Sequence, residues 1–148
     1  MANSKNSIFV GGAGRVKQTI EGLAQSAFKP GQLLARAAGD AIDVTAKAST
    51  TYGNEFLICD DQPQTLGGGT DVAATAGDTV QAISVLPGQY VLLSFAATQN
   101  VTTKGAAVAS NGDGNFKLGN PATEQTYAVT EEIINVTTAG TLVLCRAI

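Results

Sequence analysis

The chain has 148 residues, of which only 14% are charged, and its 9 Lys and Arg against 12 Asp and Glu give a formal net charge of −3. It contains no His, which excludes Ser-His-Asp and Cys-His catalysis, zinc sites with His ligands and a histidine general base. The acidic balance and the 5% aromatic content argue against a nucleic-acid partner. No stretch approaches the roughly 20 apolar residues of a membrane span, so no membrane partner is expected.

Residues 1–30 differ in pattern from the rest and are predicted to form an extended N-terminal arm. The apolar tripeptide Ile8-Phe9-Val10 precedes a glycine-rich stretch, and no hairpin partner is evident before Pro30. Because a free tail would expose this tripeptide to water, we expect a partner to order the arm. A short helix over Arg15–Ala27 is the alternative, although a glycine at its centre costs about 1 kcal/mol relative to alanine.

Residues 31–148 are predicted to form a single β domain. Turn residues recur every eight to twelve positions and separate short, β-branched apolar runs, which is typical of a β-sandwich or a β-barrel of antiparallel strands. Period-two patterning does not distinguish the two architectures. The predicted strands are Gln32–Arg36, Ile42–Ala46, Glu55–Cys59, Thr79–Leu86, Gln89–Phe95, Ala106–Ala109, Asn115–Leu118, Tyr127–Val129, Ile133–Val136 and Thr141–Ile148.

Local turn chemistry predicts two hairpins. Pro87-Gly88 suits a type II turn between the two longest apolar runs, because Pro presets φ and Gly accepts a positive φ. Asn111-Gly112 suits a primed turn that matches the twist of the flanking strands. The runs that flank Pro87 are apolar on both faces, so we expect them to lie centrally in the core or beneath another subunit.

No motif supports catalysis, a metal or a cofactor. The glycine runs at 11–14 and 67–69 complete no phosphate-binding pattern, and both are interpreted as flexible loops. Asn111, Asp113 and Asn115 begin like a calcium loop, but no Glu follows at the twelfth position and the hairpin explains them. The pairs Asp60-Asp61 and Glu131-Glu132 are interpreted as solvated loop charges. Cys59 and Cys145 lie in apolar runs and are predicted to be buried thiols, with a disulfide as the alternative, so an enzyme is not expected.

The order of several turn motifs resembles that of the capsid decoration, or cement, proteins of tailed bacteriophages. The resemblance extends from about Arg15 to Ile148 and rests on the order and spacing of turns. Its segments are Lys29-Pro30-Gly31-Gln32-Leu33-Leu34, Phe56-Leu57-Ile58 with Asp60-Asp61, Gly67-Gly68-Gly69-Thr70-Asp71, Ala76-Gly77-Asp78-Thr79-Val80, Leu86-Pro87-Gly88, Asn100-Val101 with Lys104-Gly105, and Ser110-Asn111-Gly112-Asp113-Gly114.

The resemblance implies a structural virion protein on the outer surface of an icosahedral phage head. Such a protein is made in the bacterial cytoplasm, bridges neighbouring capsomers of the major capsid protein as a homodimer or homotrimer, and stabilises the expanded shell. The alternative is a β-sandwich module of a phage virion that binds glycans or receptors. Glycan sites usually present exposed aromatic rings, and the chain offers only three tyrosines for that role, Tyr52, Tyr90 and Tyr127.

The predicted contact with the capsid lies in the N-terminal arm. Ile8, Phe9 and Val10 are expected to dock on a neighbour by strand addition or in a groove. Arg15 and Lys17 are expected to meet an acidic capsid surface.

Overall fold

The computed structural model describes residues 7–12, 16–44, 53, 55–61, 70 and 72–148. The regular secondary structure of these residues is entirely β, which confirms the all-β class, and none of it is a helix that could cross a membrane. The strands are β1 Phe9–Gly11, β2 Gln18–Ala24, β3 Leu33–Arg36, β4 Ala41–Val44, β5 Leu57–Cys59, β6 Thr79–Ser84, β7 Tyr90–Phe95, β8 Gln99–Val101, β9 Ala107–Ser110, β10 Phe116–Leu118, β11 Ala128–Thr130, β12 Ile134–Val136 and β13 Thr141–Ala147.

Strands β2 to β6 form a closed barrel, called here the first barrel, in the pairing order β2-β4-β3-β5-β6. The longest ladder is the antiparallel pair of β2 and β6, which runs from Gln18 opposite Ser84 to Leu23 opposite Thr79. Apolar side chains from all five strands and their loops form one buried cluster: Ala24, Phe28, Leu34, Ile42, Leu57, Cys59, Ala74, Val80 and Ala82.

The later strands form a second ring, called here the second barrel, in the order β7-β10-β9-β11-β13. The ring closes because β13 pairs with β7 over six residue pairs, from Thr141 opposite Phe95 to Arg146 opposite Tyr90. On its other edge β7 meets β10 at a single pair, Phe116 opposite Phe95. Strand β1 adds to that same edge of β7, and β8 pairs with β12 as a separate two-stranded ribbon.

Strand alternation lets the two barrels share a core. Leu34 and Leu57 belong to the first-barrel cluster, whereas their neighbours Leu33 and Ile58 belong to a larger cluster that also contains residues of β7, β9, β10, β11 and β13. Successive side chains of a strand point to opposite faces, so β3 and β5 bury one face in their own barrel and the other against the second barrel. This arrangement explains strands that are apolar on both faces.

Backbone and aromatic contacts join the barrels. The Ser94 amide donates to the Gly31 carbonyl over 3.0 Å, and the Leu33 amide donates to the Gly114 carbonyl over 2.7 Å. Phe56, just before β5, packs edge-on against Phe116 and Tyr127 of the second barrel, with ring centroids 6.1 and 5.2 Å away. Aromatic rings in this geometry add to the energy of apolar burial.

One of the two predicted hairpins is present and the other is wrong. The segment around Asn111-Gly112 joins β9 to β10, which pair antiparallel from Ser110 opposite Phe116. The turn at Pro87-Gly88 exists, since the Gln89 amide donates to the Leu86 carbonyl and Gly88 has φ +86°. However, β6 pairs only within the first barrel and β7 only within the second, so this turn connects the barrels.

The first thirty residues also differ from the prediction. Their described part contains two strands in different barrels, β1 in the second and β2 in the first, and the helix alternative over Arg15–Ala27 is wrong. Residues 31–148 accordingly contribute to both barrels. The central Gly22 has a packing role, because a Cβ there would lie 2.6 Å from the Ile42 side chain and 2.7 Å from the Asp40 carbonyl.

Both cysteines are buried, as predicted, and no disulfide joins them. Cys59 lies in the first-barrel cluster and Cys145 in the larger cluster, so each thiol acts as a small apolar side chain.

Candidate interaction surface

Among the residues predicted to bind the capsid, those that the structure describes do not form one exposed surface. Ile8 is fully buried in the larger core cluster of this chain, and Phe9 is partly buried against the same cluster. Within this single chain both side chains pack against their own core, and their docking on a neighbour stays a prediction. Val10 is 54% exposed, and its role in partner binding stays a prediction. Arg15 and the glycine run at 67–69 lie outside the described residues.

Strand β1 is held by the edge of β7. Phe9 pairs with Val91 and Gly11 with Tyr90, with a register shift between the two pairs, and the Leu92 amide donates to the Ile8 carbonyl over 2.8 Å. Gly12 follows in a left-handed conformation with φ +97°, and a Cβ there would lie 2.4 Å from the Tyr90 ring. Glycine is therefore required where the chain leaves β1.

Lys17 makes an ion pair with a buried carboxylate. Its Nζ donates to Oδ2 of Asp60 over 2.7 Å, and the Asp60 side chain is fully buried, which corrects the interpretation of Asp60 as a solvated loop charge. The backbone amide of Asp61 donates to Oδ1 of Asp60 over 2.9 Å. Burial, with a further contribution from Asp61, raises the pKa of Asp60 to about 6, although Lys17 opposes the rise. Lys17 therefore fixes the start of β2 to the loop after β5.

Two exposed apolar residues, Val10 and Val16, lie on chain segments that contact Tyr90 and its neighbour Gln89, and together with the partly exposed Tyr90 they are called here the N-terminal patch. Val16 is 77% exposed, and its carbonyl accepts a hydrogen bond of 3.4 Å from Nε2 of the buried Gln89, the residue before Tyr90. Val10 lies between the two residues of β1 that pair with Val91 and Tyr90. Both exposed valines therefore lie next to the same dipeptide, Gln89-Tyr90, and exposed apolar side chains that adjoin one another are typical of protein contact sites.

A groove of about 590 Å³ lies on the outer side of the second barrel. Its floor includes Ala107 of β9 and Val129 of β11, which are paired, and its rim includes Ile148, which is 55% exposed. At one side, Glu124 is neutralised by Lys117, with Nζ and Oε1 2.7 Å apart. The groove is shallow and mostly apolar. Its lining residues include no aromatic ring, whereas glycan sites usually present exposed aromatic rings.

The segment from Asn111 to Asn115, which begins like a calcium loop but is interpreted as a hairpin turn, has a structural role. Asp113 accepts a hydrogen bond of 3.0 Å from the Asn115 amide, and Oδ1 of Asn115 accepts one of 2.8 Å from the Ser94 hydroxyl. The second contact links the β9–β10 hairpin to β7. Within the described parts of the chain, no three His, Cys, Asp or Glu side chains lie close enough to hold a metal ion.

Comparison with known proteins gives a similarity of fold. No family model matches the chain, and no curated protein matches it. Among solved structures, it is similar to the crystal structure of the head fiber gp8.5 N base in bacteriophage phi29, with a TM-score of 0.56. The match covers 90% of this chain and 95% of that chain at 18% sequence identity. At this identity the similarity establishes that the two chains share a β fold.

Proposed function

We propose that the chain is a structural protein of a tailed-phage virion that binds the outside of the head. The observation that carries the proposal is the similarity of fold, along nearly the whole of both chains, to the N base of a phage head fiber. The turn motifs that resemble phage decoration proteins support the same assignment independently, because they concern sequence order and not the fold.

At finer detail, the chain bridges neighbouring capsomers of the major capsid protein and does so as a homodimer or homotrimer. A protein that binds only the expanded shell stabilises that shell by mass action, by about 2.7 kcal/mol per site at a hundredfold excess over Kd. The low content of charged residues suits close contacts between proteins, since few charges must be desolvated. No step of this function requires catalysis.

The N-terminal patch is the proposed contact with the head. Val10 and Val16 are exposed although they are apolar, and the charge of Lys17, just before β2, is paired with the carboxylate of Asp60. A patch of this kind favours an apolar, uncharged surface on the capsid protein.

Co-sedimentation with expanded heads that lack the protein tests the proposal. We expect saturable binding with an integral copy number per capsomer, and heads that survive heating better once they are bound. Val16→Asp should weaken binding at least tenfold, whereas Ile133→Asp, a matched change at a residue 66% exposed outside the patch, should bind normally. A wild-type chain that stays in the supernatant would overturn head binding and favour the glycan- or receptor-binding alternative.

A further inference from the structure

One edge of β7 carries a binding site for a single strand. We define this seam as Tyr90, Val91 and Leu92, the part of the edge that lies beyond the one pair made with β10 at Phe95. Strand β1 fills the seam with two residue pairs and with the hydrogen bond from the Leu92 amide to the Ile8 carbonyl.

The second barrel does not need β1 to close. Its five strands already form a complete ring, and β1 pairs with only one of them. Nevertheless, Ile8, the residue just before β1, lies in the core, where its side chain is fully buried. Ile8 and β1 thus form a segment added to a barrel that is already closed, and the segment is held by the buried Ile8 side chain and by backbone hydrogen bonds.

The connection after β1 leads to the other barrel. Residues 12–17 separate β1 from β2, and the last residue of β1 and the next one, Gly11 and Gly12, both have positive φ. Lys17 is fixed to Asp60 at the far end of this connection. A chain of six residues, fully extended, spans roughly 20 Å. Strand β1 can therefore reach any seam within about that distance of Lys17.

We propose that in the assembled protein the seam takes β1 of a second copy, so that copies exchange their N-terminal strands. Each copy then contributes Ile8 and Phe9 to the core of its neighbour. The contacts in the seam are the same in either arrangement, so the local concentration of the neighbouring strand sets the balance, as in domain swapping. This inference rests on the self-association part of the proposed function and not on head binding.

The first test compares oligomeric state by size exclusion with light scattering. The wild-type chain should be a dimer or trimer, and Ile8→Asp should raise its dissociation constant at least tenfold, because a carboxylate cannot enter the seam. Ile133→Asp places the same charge at an exposed position outside both the seam and the N-terminal patch and should leave the oligomer intact. A monomeric wild-type chain, or an oligomer that Ile8→Asp leaves unchanged, would overturn the exchange.

The second test traps the strand and does not depend on whether Ile8→Asp folds. Phe9 and Val91 face each other in the antiparallel pair, so Phe9→Cys with Val91→Cys can form a disulfide. Cys145 faces Val91 from β13 and is removed as Cys145→Ala, to prevent a wrong pairing. After mild oxidation of the purified oligomer, exchange predicts covalent dimers or trimers in which peptide mass analysis finds residue 9 joined to residue 91. A crosslinked chain of monomer mass would show that β1 pairs with β7 of its own chain and would overturn the exchange.

Head binding is measured separately, so failure of either proposal is distinguishable. A chain that co-sediments with heads but carries only disulfides within one chain would retain the proposed function and lose the exchange. A chain with disulfides between copies that does not bind heads would do the reverse.

Discussion

Asp60 is the ionisable residue with the most unusual environment among the described residues. Its carboxylate is fully buried and accepts hydrogen bonds from Lys17 and from the backbone of Asp61, yet burial still raises its pKa to about 6 from the ordinary 3.8. The folded chain therefore holds a proton on Asp60 more tightly than the unfolded chain does. The ion pair with Lys17 offsets only part of the cost of burying the charge.

This environment predicts a stability contribution that acid increases. The contribution of Asp60 is fully present below about pH 4 and is lost as the pH rises through about 6, because the folded state then holds a buried charge. Relative to Asp60→Asn, the wild-type free energy of unfolding should fall by about 1–3 kcal/mol between pH 4 and pH 7. Urea unfolding at several pH values measures it, with the exposed Asp40→Asn as control. Parallel pH profiles for the wild type and Asp60→Asn would contradict this account.

At the scale of elements, the turn at the end of β1 is tightly constrained. Gly12 combines positive φ with close contact to Tyr90 and to the Gly88 carbonyl, whereas Gly39 has positive φ in open space. Comparison of the two separates the cost of backbone conformation from the cost of crowding.

Gly39→Ala should lower the free energy of unfolding by about 1 kcal/mol through its backbone alone. Gly12→Ala should lower it by at least about 1 kcal/mol more, because its methyl group would displace the Tyr90 ring or the backbone at Gly88. Chemical denaturation of both variants measures the difference. Equal losses of unfolding free energy in the two variants would mean that the segment after β1 moves to accommodate the methyl group without loss of stability.

Strand positions could largely be predicted from sequence, because the alternation of apolar residues and the turn residues between them are local signals. All ten predicted strands overlap an observed one. Strand β2 was missed because Val16, Ile20, Leu23 and Ala27 fall at helical spacing. In the structure, however, Leu23 is 48% exposed and the inward positions include Gly22, whose missing side chain makes room for Ile42. A glycine that packs closely leaves no apolar signal.

Pairing partners were harder to predict than strands. The chemistry of Pro87-Gly88 specifies a turn but not which strands pair, and here the strands on either side enter different barrels. The sequence predicts that the apolar tripeptide Ile8-Phe9-Val10 packs against a partner. It does not show that this partner is the segment around Val91 of the same chain, about eighty residues away. The Lys17–Asp60 pair was missed for the same reason, since 43 residues separate its members.

At the scale of the whole molecule, the shared core predicts that both barrels unfold together. The larger cluster includes Leu33, Ile58 and Ile83 of the first barrel alongside residues of the second. Phe56 extends this junction through its contacts with Phe116 and Tyr127. A unit of this size with one continuous junction is expected to unfold in one step.

Phe56→Ala should destabilise the whole chain by roughly 2–3 kcal/mol, and calorimetry should still show a single transition at a lower Tm. Leu142→Ala serves as the control. Leu142 is a partly buried residue of β13 that pairs with Ser94 of β7, so this variant loses apolar area away from the aromatic contacts. Two separate transitions in Phe56→Ala would show that the aromatic contacts alone couple the barrels. Two transitions in the wild type would contradict the shared core.

The route of the chain also sets an order of events during synthesis. The last strand of the first barrel ends at Ser84. Strand β1 is the earliest strand to leave the ribosome, but its partners Tyr90 and Val91 are made about eighty positions later. At roughly 5–20 residues per second, Ile8 and Phe9 wait at least several seconds for their seam. Neighbouring nascent chains on one messenger carry the same unburied strand during that interval, so the strand exchange that we propose has its first opportunity during synthesis.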